Sequence, residues 1–183
     1  MIKPWPLIKS EPGSSYRVFS VRTDTARSPR TDRDHDFYII EAGEWVNIIP
    51  LTPDGELVLV RQYRHGIRAT TLELPGGLVD PGDTPEAAAV RELMEETGYS
   101  PQEVQLLGSY HPHPAIMNNL CYTYLARNVR LEQAQNLDQG EDIEVVLVPL
   151  KDIPELIKSG QITHSLVITA FYFLNSTMNS EQV

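Results

Sequence analysis

One arginine and three glutamates stand close together in the segment RELMEETGY, at Arg91, Glu92, Glu95 and Glu96. On a helix Glu92 lies three residues before Glu95 and four before Glu96, so the three carboxylates share one face. Arg91 can pair with Glu95, but an exposed pair of this kind stabilises by only about 0.3–0.5 kcal/mol. Neighbouring like charges cost a similar amount, so the cluster contributes little to stability.

Two interpretations of this cluster are open from the helix alone. One is a solvated helix face, which is how most glutamate-rich helices are explained. The other is a site for a hard cation, since Mg²⁺ prefers oxygen ligands and commonly combines carboxylates with water and substrate phosphate.

The residues around the acids predict the helix that presents them. Thr84 is a good N-cap, Pro85 suits the first helical position, and Gly98 is a natural residue just past the end. The helix they delimit is about 20 Å long. We expect its other side, with Val90, Leu93 and Met94, to pack into the core. The preceding glycine-rich loop allows backbone groups to approach ions and phosphates closely.

The rest of the chain predicts a mixture of strands and helices without strict alternation. Apolar runs between turn residues predict strands, whereas TARSPRTDRDHD (residues 25–36) predicts an exposed loop. Two further helices are expected near the C-terminus, and His164 is interpreted as a helix-start residue. This mixture indicates an α+β fold or a mixed-sheet α/β sandwich. The expected strands are YRVFSVRTD, three within FYIIEAGEWVNIIPLTPDGELVLVRQYR, TTLEL, EVQLLGSYHP, NLCYTYLARNV and IEVVLVPL.

The composition limits the possible functions. A chain of 183 residues with 41% hydrophobic residues can form one domain with its own core and a small appendage. Its net charge of −10 argues against a general nucleic-acid binder but allows a phosphate ligand bridged by a cation. Cys121 is the only cysteine, which excludes a disulfide framework or thiolate metal site. Without a signal peptide or a membrane-length apolar run, the sequence predicts a soluble cytoplasmic protein.

The segment GGLVDPGDTPEAAAVRELMEETGY resembles the Nudix box of the Nudix hydrolase superfamily. Gly77 opens the box and Tyr99 closes it, with a span of 23 residues. Asp83 is the one departure, because the pattern has Glu at that position. The other matching positions are Arg91, Glu92, Leu93, Glu95, Glu96 and Gly98.

This resemblance implies a fold, a cofactor and several site residues. The fold would be an α/β/α sandwich of Nudix type with a mixed central sheet. The cofactor would be Mg²⁺, for which Mn²⁺ can substitute. Arg91 would orient the helix carboxylates and counts with Glu95 among the catalytic residues. The implied metal ligands are Glu92, Glu95, Glu96 and the carbonyl of Gly76.

The segment VRQYRHG…LELPGG is similar to ADP-ribose and nucleoside-diphosphate-sugar pyrophosphatases. The resemblance implies that Arg64 reaches the substrate phosphates, and Arg61 either does the same or solvates a strand end. Glu73 is a candidate substrate or metal contact, or alternatively a strand residue facing solvent. Pro114, sixteen residues past Gly98, resembles the marker of ADP-ribose pyrophosphatases. The neighbouring residues HPHPAIMNN differ from the commonest form of this marker. The preferred nucleobase and sugar therefore remain open.

Two further regions carry expectations from the resemblance. Glu141, in the loop DQGED, would act as general base or metal ligand, with a solvated loop acid as the alternative. Residues 1–42 would form a small β sub-domain that builds a homodimer, ahead of a Nudix domain at 43–183.

The implied function is metal-dependent cleavage of the diphosphate in ADP-ribose or a nucleotide sugar. Two alternatives are a hydrolase of nucleoside triphosphates or RNA 5′ ends, and a non-catalytic nucleotide sensor.

Overall fold

The computed structural model describes residues 1–180. By chain contacts the protein divides into two compact units. The first comprises Met1–Gly43 with His111–Leu120, and the second comprises Glu44–Tyr110 with the chain from Cys121 onward. No helix among the described residues is long and apolar enough to cross a membrane.

The first unit is built on a three-stranded antiparallel sheet in the order β1-β2-β3. Its strands are β1 (Leu7–Ser15), β2 (Phe19–Arg27) and β3 (Asp34–Ala42), and every residue of β1 is exposed. The later segment joins this sheet through the amide of Ile40, which donates to the carbonyl of Ile116 at 2.7 Å.

The loop expected over residues 25–36 is shorter in the structure and covers only residues 28–33. β2 continues to Arg27 and β3 already begins at Asp34, so only a short turn separates them. The strand ends are joined by polar cross-strand pairs, Thr25 with Asp36 and Arg27 with Asp34. Polar pairs hold strands together without the alternating apolar pattern by which a strand is recognised.

The second unit contains a mixed central sheet in the order β11-β5-β4-β9-β8, with β6 paired to β5. Only the β4–β9 pair is parallel among these described strands. The bounds are β4 (Trp45–Leu51), β5 (Glu56–Arg64), β6 (Ala69–Glu73), β8 (Glu103–Tyr110), β9 (Cys121–Arg127) and β11 (Ile143–Pro149), with a two-residue pair β7 (Tyr99–Ser100) and β10 (Arg130–Leu131) beside them.

Helices cover both faces of this sheet. α1 (Pro85–Thr97) packs on one face through a cluster that includes Leu93 and Ile48. α2 (Ile153–Lys158), preceded by a 3₁₀ turn at Leu150–Asp152, and α3 (Ser165–Ser180) contribute to the cluster on the other face. The expected α+β class and α/β/α sandwich with a mixed sheet are therefore confirmed.

α1 has the expected ends. The Thr84 hydroxyl accepts from the Ala87 amide at 3.1 Å, and Gly98 adopts the left-handed conformation at φ 77°. The expectation for its apolar side is only partly right, because Leu93 is fully buried whereas Val90 and Met94 line an open groove. These two side chains point away from the sheet, toward the segment that contains Gln133 and Asn136.

Candidate active site

The loop before α1 lies along β4. The Ile48 amide donates to the Pro75 carbonyl at 3.1 Å, and the Val46 amide donates to the Gly77 carbonyl at 2.9 Å. A Cβ atom at Gly76 would overlap the Val46 carbonyl, so the loop can approach the strand this closely only without a side chain.

The two glycines each contact one helix carboxylate. The Gly76 amide donates to Glu96 Oε2 at 3.1 Å. A Cβ at Gly77 would lie 2.5 Å from Glu92 Oε1. The Glu92 carboxylate therefore occupies the space that a side chain at Gly77 would need. The structure therefore brings Glu92, Glu96 and the glycine loop together. The suggested metal role of the Gly76 carbonyl stays a prediction.

Glu92 and Glu96 lie in surroundings that disfavour their negative charge. Burial raises the pKa of Glu96 to about 9, and the charges of Glu92 and Glu141 add to the effect. Burial also raises the pKa of Glu92 to about 7, although Arg91 opposes the change. A divalent cation would add positive charge that favours the ionised form of both carboxylates. The oxygen donors of these two carboxylates therefore fit a hard cation.

Arg91 fixes two carboxylates of the helix. Its Nη1 donates to Glu92 Oε1 at 3.0 Å and to Glu95 Oε2 at 2.9 Å, while Nη2 donates to the Leu78 carbonyl at 3.2 Å. Although burial lowers the pKa of Arg91, its acidic partners leave it above the ordinary value. Asp83, the departure from the box, lies 3.5 Å from Arg91 Nε.

The third helix acid, Glu95, shares the guanidinium of Arg91 with Glu92. Glu95 is more exposed and its carboxylate is held by Arg91. Within residues 1–180 no three carboxylate, imidazole or thiol side chains converge closely enough to hold a metal ion as they stand. Glu92 and Glu96 are thus the pre-assembled part of the expected ligand set, and the metal role of Glu95 stays a prediction.

Glu73 is buried, with 2% of its surface exposed, so the solvent-facing alternative is wrong. Arg64 donates to both of its oxygens, from Nε at 2.8 Å and from Nη2 at 2.6 Å. The Thr71 hydroxyl also donates to it. Burial alone would raise the pKa of Glu73, but these hydrogen bonds leave it below the ordinary value. Glu73 therefore remains a carboxylate paired with Arg64, and its contact with substrate or metal stays a prediction.

Arg64 and Arg61 differ in their surroundings. The charges of Glu96 and Glu141 contribute to raising the pKa of Arg64, so this guanidinium lies near the helix acids. Arg61 lies three residues earlier on β5 and points to the opposite face. It pairs with Glu144 on β11 at 2.7 Å. The structure does not bring Arg61 to the acids, and its contact with substrate stays a prediction.

Glu141 lies within electrostatic reach of the helix acids, since its charge raises the pKa of both Glu92 and Glu96. Its carboxylate accepts from the Asp138 amide at 2.9 Å, within its own loop. Pro114 belongs to the His111–Leu120 segment of the first unit. The roles of Glu141 and Pro114 stay predictions.

The sequence interpretation did not identify His164 as a neighbour of this site. His164 is half-buried, and its pKa is lowered by burial and by Arg64 while Glu73 opposes the change. The Leu72 amide approaches the Gln161 carbonyl at 3.4 Å, which places the chain before α3 beside β6. No local signal in the sequence reports this long-range pairing.

The raised pKa values predict a pH dependence for the metal-free protein. An acid whose pKa is raised on folding stabilises the fold below its ordinary pKa and loses that contribution as pH rises. Without metal, the contributions of Glu92 and Glu96 should thus be lost as pH rises through about 7 and about 9. Thermal unfolding in a chelator at pH 5, 7 and 9 measures the trend. The melting temperature of Glu96→Gln should depend less on pH than that of the unchanged chain. Equal slopes of melting temperature against pH would contradict the raised pKa of Glu96.

Several known proteins are similar to this chain. The family profile of the NUDIX domain matches residues 42–171. The chain is 30% identical over 130 residues to an ADP-ribose pyrophosphatase of Bacillus subtilis, with 70% of each chain covered. It is 33% identical over 176 residues to a GDP-mannose pyrophosphatase of Citrobacter koseri, with 89% of this chain and 91% of that one covered.

A solved structure described as an ADP compounds hydrolase has the same fold. It superimposes with a TM-score of 0.86 over 99% of this chain and 97% of that chain, at 21% sequence identity.

Proposed function

The chain belongs to the NUDIX domain family, and on that premise we propose that it hydrolyses the diphosphate of ADP-ribose or a related nucleotide sugar. The products would be a nucleoside monophosphate and a sugar phosphate. The observation that carries the proposal is the pair of buried Glu96 and half-buried Glu92 against the Gly76–Gly77 loop, beside Arg64. The names of the two relatives support the choice of substrate.

We propose Mg²⁺ as the cofactor, with Mn²⁺ as a substitute. Bound divalent cations would neutralise charge on the diphosphate and activate the attacking water. Oxygen donors are the ligands that these ions prefer, and the chain offers them in one region. The residues proposed to hold the metal are Glu92, Glu95, Glu96, Glu141 and the carbonyl of Gly76.

The residues of the chain would divide the work of hydrolysis. Arg64 would hold a substrate phosphate through Nη1, which takes no part in its pair with Glu73. Arg91 would keep the Glu92 and Glu95 carboxylates in place. Glu141 would accept a proton from water as the water oxygen bonds to phosphorus and the anhydride P–O bond breaks.

The test is a product assay on ADP-ribose and GDP-mannose with and without Mg²⁺. We expect AMP and ribose 5-phosphate, or GMP and mannose 1-phosphate, only with the metal present. Nucleoside triphosphates and triphosphorylated RNA serve as competitors. Preferential cleavage of either would overturn the substrate class, and tight ADP-ribose binding without turnover would indicate a sensor.

The division into residues 1–42 and 43–183, the homodimer and a cytoplasmic location also remain proposals. We propose that the first unit binds a second copy of the chain. Large apolar side chains lie exposed on its small sheet, among them Leu7 at 60% and Tyr38 at 66% of their surface. Apolar side chains concentrated on one small sheet are typical of a surface that associates.

Replacing Phe37 and Tyr38 together by serine is expected to shift the protein from dimer to monomer. Both side chains lie on β3 and are exposed, so the change should leave the fold intact. Size-exclusion chromatography with light scattering measures the mass. Tyr172→Ser is a matched control, since this ring on α3 is 70% exposed. A monomeric unchanged chain, or a control with the same effect, would contradict the proposal.

A further inference from the structure

The segment after β10 satisfies the carbonyls at the end of α1. The last carbonyls of a helix have no partner within it and must find one elsewhere. The Asn136 amide donates to the Glu95 carbonyl at 2.8 Å, and the Glu132 amide donates to the Gly98 carbonyl at 3.0 Å. The chain leading to the Glu141 loop is thus attached to the helix that carries the acids.

Gln135 in this segment makes a different kind of connection. Its Nε2 donates to the Glu96 carbonyl at 2.6 Å and to the Ile143 carbonyl at 3.2 Å. One amide group therefore joins the last turn of α1 to the first residue of β11. An NH₂ group has two hydrogens, so it can make both bonds at once.

These two bonds close the base of the loop that carries Glu141. Residues 137–142 connect Asn136, whose amide is bonded to α1, with Ile143 on β11. The Gln135 side chain bonds to α1 and to Ile143. Glu96 is consequently fixed from two sides, with its carboxylate on the Gly76 amide and its carbonyl on Gln135. The tip of the loop is exposed, and Glu141 there accepts from Asp138.

We propose that Gln135 is a positioning residue that sets the distance between the acids of α1 and the Glu141 loop. Its catalytic consequence rests on the proposed function, because it concerns delivery of the Glu141 carboxylate to the bound diphosphate. The tip of the loop can then move while its base stays at a fixed distance from Glu92 and Glu96. Gln135 is uncharged, and its two hydrogen bonds go to backbone carbonyls of Glu96 and Ile143.

Gln135→Met tests the proposal, since methionine keeps the length of the side chain and removes both donors. Hydrogen exchange of the metal-free protein should be about tenfold faster for amides in residues 137–143, because two hydrogen bonds no longer close the loop. With substrate and Mg²⁺, kcat should fall about tenfold or more while KM changes little, since misplaced groups cost rate more than binding.

Gln133→Met is the matched control. Gln133 lies two residues earlier, and its side-chain amide donates to the Met94 carbonyl of the same helix at 3.5 Å. Both exchange and kcat should stay at the level of the unchanged chain. Gln135→Asn provides a second variant, which keeps the amide but is too short for both carbonyls and should share the defect.

The outcomes separate the two proposals. Unchanged exchange in residues 137–143 of Gln135→Met, or equal effects in Gln133→Met, would overturn the positioning role. A fall in kcat that tracks only the folded fraction measured by circular dichroism would also overturn it. If the unchanged chain hydrolyses no nucleotide sugar, the proposed function fails, whereas the exchange experiment still reports whether Gln135 holds the loop.

Discussion

Glu96→Gln is expected to lower turnover on the order of 10³-fold, beyond the 10–100-fold typical of groups that only support a metal ligand. Glutamine keeps the volume and the oxygen that accepts from the Gly76 amide but removes the charge. The fold should remain intact in the absence of metal, because the charge of Glu96 is unfavourable where it lies. Steady-state kinetics with Mg²⁺, alongside Mn²⁺ titration followed by electron paramagnetic resonance, measures the loss.

Glu86→Gln is the control for this change. Glu86 lies in the first turn of the same helix and is exposed, so its neutralisation should alter stability by less than about 0.5 kcal/mol. Its turnover should match that of the unchanged chain. Activity of Glu96→Gln within tenfold of the control would show that Glu96 is not an essential metal ligand.

Arg64→Ala should reduce both stability and turnover, and a second change should separate these effects. Loss of the guanidinium leaves the Glu73 carboxylate buried without its main partner, which typically costs about 3–5 kcal/mol for a fully buried pair. Arg64 retains 35% exposure, so we expect about 2 kcal/mol, with solvent screening part of the pair. Denaturant unfolding at pH 7.5 and kinetics under the same conditions provide the two measurements.

Adding Glu73→Gln to Arg64→Ala should recover most of the stability but not the turnover. The neutral amide no longer requires a cation in the interior, whereas the substrate phosphate still lacks the guanidinium. Arg61→Ala is a control for stability only, since its exposed pair with Glu144 should contribute less than about 1 kcal/mol. Recovery of turnover in the double variant would mean that Arg64 acts only by neutralising Glu73.

The parts of the site that the sequence predicted are those with local signals. The ends of α1 follow from Thr84, Pro85 and Gly98, each of which acts within one helical turn. The shared face of the acids follows from helix periodicity. The deep burial of Glu96 beside the more exposed Glu95 does not follow from it, because it depends on the glycine loop that contacts Glu96.

The parts that the sequence did not predict depend on pairs distant in the chain. The segment TTLEL does not indicate which face of its strand carries Glu73. The burial of Glu73 depends on its pairing with Arg64 in the adjacent strand. Gln135 lies in a polar stretch that gives no sign of two carbonyl partners. The strand β1 was missed because all of its residues are exposed, so it has no apolar periodicity.

The discontinuous first unit has a consequence for biosynthesis. The hydrogen bond between Ile40 and Ile116 joins positions 76 residues apart, and the Asn119 side chain donates to the Gly43 carbonyl in the same unit. A nascent chain emerging from the ribosome can pair its first three strands early, but it cannot complete these contacts until Asn119 has been translated. Ribosome-stalled fragments ending before position 111 should therefore leave Ile40 and Gly43 open to proteases.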